Sequence, residues 1–189
     1  MKQHLISLVL FFSFLLSGCM PLKQTEVTSP NGHIRLAFAL DGNNRMTYQV
    51  SVGDTVCITS SLLGFTAKDG VNLAEGFKVI NTDFTTHDET WTQPWGENKN
   101  IRNHYNEMAV HLSDTTNTKL TLRFRIFDDG LGFRYEYEVP GADSILVTDE
   151  LTAFNIAQDG TSWSIPANYD TYELAVYKIK EDGSKVLDK

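Results

Sequence analysis

The stretch KLTLRFRIFDDGLGFRYEYEVP, residues 119–140, constrains the fold of this chain more than any other. Leu120, Leu122, Phe124 and Ile126 alternate with polar residues, Asp129-Gly130 supplies a turn, and Phe133, Tyr135, Tyr137 and Val139 resume the apolar series on the same face. A period of two sends successive side chains to opposite sides of an extended backbone, so the stretch predicts a half-buried hairpin and excludes a helix. Arg123, Arg125, Arg134, Glu136 and Glu138 fall on the other side, where cross-strand ion pairs on a wet face are expected. The same period recurs earlier. Ile34, Leu36, Phe38 and Leu40 precede a DGNN turn, and Met46, Tyr48, Val50 and Val52 follow it. Met108, Val110 and Leu112 alternate with Ala109, His111 and Ser113. No window of a dozen residues carries a helical stripe; LAEGFKVI is short and holds a glycine. The pattern predicts an all-β antiparallel sandwich.

The first twenty residues, MKQHLISLVLFFSFLLSGCM, read as an export signal: Lys2, an apolar run from Leu5 to Leu16, then small residues before a cysteine. That run is too short to span a bilayer comfortably. Leu16-Ser17-Gly18-Cys19 resembles the bacterial lipobox, in which the cysteine becomes the lipidated first residue. Residues 1–18 are therefore expected to be a leader, 19–27 a linker and 28–189 the folded domain. Acyl chains on Cys19 would tether the protein to a membrane, on the periplasmic side or at the cell surface. Formal net charge is −8, and removing the leader takes away only Lys2 among the fully charged residues, leaving the rest more acidic still. An acidic surface repels phosphates, so nucleic acid is excluded as a partner. With Cys19 lipidated, Cys57 is the sole free thiol, which leaves no disulfide framework and no thiolate metal site.

Residues 87–107, HDETWTQPWGENKNIRNHYNE, crowd two tryptophans, a tyrosine, two histidines and four carboxylates together. Trp91 and Trp95 flank Pro94, with Gly96 after them, which reads as a shaped loop or strand end. Indole rings beside Asp88, Glu89 and Glu97 suit carbohydrate, since rings stack on apolar C–H faces and carboxylates accept hydroxyl hydrogen bonds. The same residues also suit packing over the end of a sheet. His104 and Glu107 have the chemistry of an acid–base pair, as an aldose epimerase would need, or of a histidine fixed by Asn103 or Asn106. His87, His104 and His111 lack the spacing of a helical zinc motif.

The series DETWTQPWGENKNIRNHYNE, FRIFDDGLGFRYEYEVP, TDELTAFNI and WSIPANYDTYE is similar to the N-terminal domain of glycoside hydrolase family 97. That family comprises calcium-dependent α-glucosidases and α-galactosidases. The resemblance implies a β-supersandwich of the galactose-mutarotase type packed on a (β/α)₈ barrel. It places the two catalytic carboxylates in the barrel, so no catalytic residue is expected here. It implies one calcium ligand from this domain, Glu173, at the end of Tyr169-Asp170-Thr171-Tyr172-Glu173. Calcium takes six to eight oxygens, so the ion is expected only beside the barrel's own ligands. Ala167-Asn168 departs from the glycine and aspartate common before that tyrosine, and alanine resists the positive φ a glycine accepts. The family domain continues past the point matched by Lys189, so a sandwich incomplete at its C-terminus is expected. Oligosaccharide or polysaccharide and the barrel are the implied partners. A stand-alone sugar-binding lipoprotein using Trp91, Trp95, Glu97, His104 and Glu107, or an epimerase of the mutarotase type, are the alternatives.

Overall fold

The structure is a computed structural model that describes residues 25–68, 71–164, 177–179 and 185–187. Among the described residues there is no α-helix. β1 (Thr25–Thr28), β2 (Ile34–Leu40), β3 (Met46–Val52) and β4 (Thr55–Leu62) form one antiparallel sheet in chain order. β7 (Lys78–Thr92), β8 (Asn100–Ser113), β9 (Lys119–Ile126) and β10 (Leu131–Glu138) form the second, again in simple meander. β5 (Phe65–Ala67), β6 (Asn72–Leu73) and β11 (Val147–Glu150) make a small third sheet. β12 (Ser162–Ser164), β13 (Tyr177–Ile179) and β14 (Lys185–Leu187) make a fourth.

The two large sheets pack face to face because each has one apolar face to hide. Leu36, Phe38, Met46 and Tyr48 from the first meet Met108, Val110, Leu122 and Phe124 from the second, all almost wholly buried. Full burial of such a side chain contributes about 1.5–3 kcal/mol, offset by the entropy of ordering the chain. Aromatic rings tie the layers: Phe38 meets Phe124 at 6.1 Å between centroids, and Tyr48 meets Phe133 at 5.6 Å. The all-β antiparallel sandwich anticipated from the alternation is the fold.

The predicted hairpins are present, with Leu40 opposite Met46 and Ile126 opposite Leu131. The DGNN turn closes on Asp41, whose Oδ1 accepts the amides of Asn43 and Arg45 at 2.9 Å each. Asn44 sits there at φ 55°, a region asparagine tolerates. The N-terminal boundary expected at residue 28 needs correction. β1 starts at Thr25, pairs Val27 with Leu36 and buries Val27, so the sandwich begins inside the supposed linker.

One edge of the first sheet is covered by chain that is not itself a regular strand. Residues 151–157 run along β4, with backbone amides of Leu151, Ala153 and Ala157 donating to Gly64, Leu62 and Cys57, and that of Thr59 donating to Asn155. Tyr48 Oη donates to Ala153 O at 2.9 Å, and Tyr135 Oη lies 2.7 Å from Thr152 Oγ1. Exposed backbone at a sheet edge templates aggregation, and this cover removes it. Burial pushes the Tyr48 phenol up to about 12 and raises those of Tyr135 and Tyr137, so all three stay neutral hydrogen-bonding groups.

Candidate functional site

The aromatic-acidic cluster forms an arm. β7 and β8 pair continuously from Lys78↔Ser113 to Thr92↔Asn100, with one irregularity between Val79 and Asn81. β9 pairs with β8 only from Asn106↔Ile126 inward. Among the described residues, residues 100–105 of β8 therefore have β7 as their sole strand partner, and the pair projects past the sheet by about 20 Å at the usual strand rise.

An isolated two-stranded ribbon is marginal in water, so side chains must hold it. Arg102 grips Asp88 with two parallel bonds, Nε and Nη2 each 2.8 Å from a carboxylate oxygen. The Arg102 bonds hold the Asp88 carboxyl below its usual range. Asn103 Nδ2 and His87 Nε2 both reach Glu89 Oε1, at 3.2 and 3.1 Å, and lower that acid too, the His87 contact most. Thr86 Oγ1 donates to Asn106 Oδ1 at 2.8 Å, and Asn106 Nδ2 donates to Thr28 O of β1 at 2.9 Å. At the base, Tyr105 is buried between a His87 ring stacked at 5.0 Å and the Arg125 guanidinium at 4.6 Å, with Phe127 beside it at 5.2 Å.

The tip is built to present Trp95. Gln93 N donates to Lys99 O at 3.0 Å and Gln93 Nε2 donates to Asn98 O at 2.8 Å, so the loop closes on itself. Gly96 has φ 114°, and a Cβ there would lie 2.6 Å from Gln93 Nε2; the turn requires glycine. Trp95 is left 84% exposed and Trp91 49% exposed. The Trp95 ring stands almost clear of the sheet, and Glu97 is exposed in the same loop. An exposed indole on a self-braced turn can stack on a sugar face or insert into a partner surface.

His104 and Glu107 do not converge. Three positions apart on one strand, they project to opposite faces. His104 is half-buried on the side of Met108 and stands opposite Asp88. Glu107 is buried on the outer face, where Arg123 Nη1 reaches Oε1 at 2.5 Å and Arg125 Nε reaches Oε2 at 2.7 Å. Burial alone would raise the Glu107 acid, but the Arg125 and Arg123 bonds outweigh it and lower it. Arg123 goes on to Glu136 through Nε and Nη2, at 3.0 and 3.2 Å, and Arg134 Nε donates to Glu136 Oε1 at 2.7 Å. The Glu136 bond, then that of Glu107, raises the Arg123 guanidinium further, so that group stays charged. The expected ion pairs of the outer face are therefore real, and Glu107 is their buried centre, a role its neighbours in sequence do not reveal. Arg102 and the His87–Tyr105 stack were likewise not singled out from sequence; the match of Asp88 and Arg102 across a hairpin is the signal that would have found the former.

Among the described residues, no three His, Cys, Asp or Glu side chains gather as a metal site. Cys19, Glu173 and the Tyr169–Glu173 motif lie outside the described residues.

A two-sheet sandwich of this design is shared with domains of sugar-cleaving enzymes. A glycoside hydrolase family 97 enzyme from Pseudoalteromonas sp., solved in complex with acarbose, superposes with TM-score 0.76 at 28% identity, over 85% of this chain and 25% of that one. The complex with panose gives 0.71 at 31% identity, over 76% and 22%. A retaining alpha-galactosidase of Bacteroides thetaiotaomicron is 25% identical over 144 residues, 76% of this chain and 20% of that protein. The family model described as glycosyl-hydrolase 97 N-terminal matches residues 27–188, and the chain belongs to that family. It spans about a fifth to a quarter of the length of these relatives.

Proposed function

We propose that this chain serves as the non-catalytic N-terminal sandwich of a glycoside hydrolase of the α-glucosidase or α-galactosidase type, bracing a (β/α)₈ catalytic barrel. The observation that carries the reading is the match of residues 27–188 to the N-terminal family alone, over no more than a quarter of each enzyme compared. The arm is the element best formed to meet the barrel or its substrate. It is rigid at its base, self-closed at its tip, and offers Trp91, Trp95 and Glu97 to whatever lies beyond. Glu173 lends a calcium ion one carboxylate, and the barrel supplies the remaining oxygens. Export and lipid attachment at Cys19 place the domain at a bacterial membrane facing the periplasm or the outside.

Three measurements test this. The purified chain should leave p-nitrophenyl α-glucoside and α-galactoside intact, and should bind a separately produced family 97 barrel in a gel-filtration assay that Trp95→Ala weakens. Hydrolysis by the chain alone, at a rate its own carboxylates control, would overturn it. Radiolabelled palmitate should enter the intact protein and not Cys19→Ala.

Exposure of Trp95 also favours a second reading, a sugar-binding lipoprotein that works alone. Saturable change of tryptophan fluorescence with maltooligosaccharides, abolished by Trp95→Ala, would select it over the first.

A further inference from the structure

On the outer face of the second sheet three guanidiniums gather beside a hollow, while Lys119 with Glu138, His111 with Asp83 and His87 with Glu89 pair elsewhere on that face. Arg123, Arg125 and Arg134 stand against two carboxylates, Glu107 and Glu136, and all four carboxylate oxygens already accept guanidinium bonds. Arg123 spends Nε, Nη1 and Nη2 on them. The surplus positive charge therefore rests on Arg125, which among the described residues gives only Nε, and on Arg134, whose Nε and Nη2 both go to Glu136 Oε1. Both remain open to solvent, with side chains 43% and 63% exposed. In a chain of net charge −8 such a patch is against the general field.

Register explains the hollow. Arg125 of β9 lies opposite Gly132 of β10, so the position between Arg125 and Arg134 has no side chain. The space, about 180 Å³, is lined by Arg123, Arg125, Phe127, Gly132, Phe133 and Arg134. Gly132 does not have a positive φ, and a Cβ added there would meet nothing within 4 Å. Backbone geometry thus gives no reason for a glycine at the second position of β10, where it weakens the strand. Room left for a ligand would give one.

We infer that this hollow is a subsite for the carboxylate of an acidic sugar, a hexuronate unit of a glycan. The carboxylate sits between Arg125 and Arg134, which keep N–H groups not spent on Glu107 and Glu136, and the ring lies against Phe127. A full site for a drug-sized ligand needs more room, so one sugar unit is the largest occupant the hollow takes. Strand parity puts the hollow on the same face of the sheet and arm as Trp91, so a longer glycan has a second contact further along. The choice of a carboxylate stands on the charge and the hollow; the choice of a sugar rests on the carbohydrate reading above.

NMR titration of the ¹⁵N-labelled chain tests it, following backbone amides near Gly132 and the Nε–Hε signals of Arg125 and Arg134. Methyl glucuronide should shift them saturably in the millimolar range, with the effect falling severalfold between about 50 and 300 mM salt as screening grows. Methyl glucoside should leave them still. Gly132→Val fills the hollow in a strand-compatible way and should weaken the response at least about tenfold, as should Arg134→Gln. If an acidic dipeptide shifts these signals and the glucuronide does not, the face takes a protein partner and the sugar assignment is wrong. If no carboxylate shifts them in a folded sample, the subsite is refuted, whatever neutral sugars do at Trp95.

Discussion

Replacing Glu107 by glutamine removes one negative charge from the centre of a five-membered network while keeping side-chain shape. Two charge-assisted bonds are lost, from Arg123 at 2.5 Å and Arg125 at 2.7 Å, and the new amide N–H₂ group faces donors. A hydrogen bond to a charged group contributes about 1.5–3 kcal/mol. The Arg123 bond keeps that range, because both partners are largely buried; the Arg125 bond is discounted to about 0.5–1 kcal/mol, because that side chain is 43% exposed and water replaces the lost acceptor. The expected loss is about 2–4 kcal/mol at pH 7, which for a domain of this size lowers Tm by roughly 5–15 °C. The sign with pH follows from the depressed acid. A carboxylate whose folded pKa lies below its unfolded value of about 4.3 stabilises the fold fully above that pH, and loses the contribution as pH falls through the folded pKa. Urea midpoints of the native chain and Glu107→Gln should therefore differ by a constant amount from pH 5 to 8 and converge below about pH 4. Glu138→Gln is the control: its partner Lys119 lies 3.5 Å away and both are exposed, so its effect should stay within about 0.5 kcal/mol. A Glu107→Gln gap below about 0.5 kcal/mol at pH 7, or one that persists undiminished at pH 3, would refute the assignment of Glu107 as a structural ion-pair centre and reopen it as a titrating acid.

Phe124 is fully buried, touching Phe38 of the facing sheet and Phe133 on the neighbouring strand, so Phe124→Ala should cost about 3–5 kcal/mol by calorimetry. Gly64 has φ 131°, and a Cβ there would come within 2.9 Å of Ala74 Cα; Gly64→Ala should cost about 2–4 kcal/mol from backbone strain and overpacking together, read as a lower urea midpoint. Trp95→Ala, by contrast, should change stability by less than about 0.5 kcal/mol, since the ring is 84% exposed, and should shift only the binding assays.

Legibility in this chain followed one-sided burial. β2, β3, β9 and β10 each hide one face, so their period of two is written plainly, and the hairpin registers follow from the turns between them. β1 was hidden by its shortness: one buried residue, Val27, in a four-residue strand makes no period. Residues 151–157 are held along β4 largely through backbone amides, with side-chain bonds such as that of Asn155 Nδ2 to Ser60 O added, and such bonds leave no hydrophobic period in the sequence. The arm failed for the opposite reason. Both its faces are wet, so Thr86, Asp88, Glu89 and Thr92 of β7 offer no alternation, and the stretch reads only as a shaped loop or strand end, with nothing to show that a long strand leads up to Thr92. What makes it an arm is set elsewhere, by β9 stopping at Ile126 while β8 continues to Asn100. Trp95 is exposed as a consequence of that mismatch in strand length, and no local composition encodes it. The same reasoning separates His104 from Glu107. Once the backbone is known to be extended, parity alone sends them to opposite faces, and the acid–base pairing suggested by their nearness in sequence has no geometry left to act through.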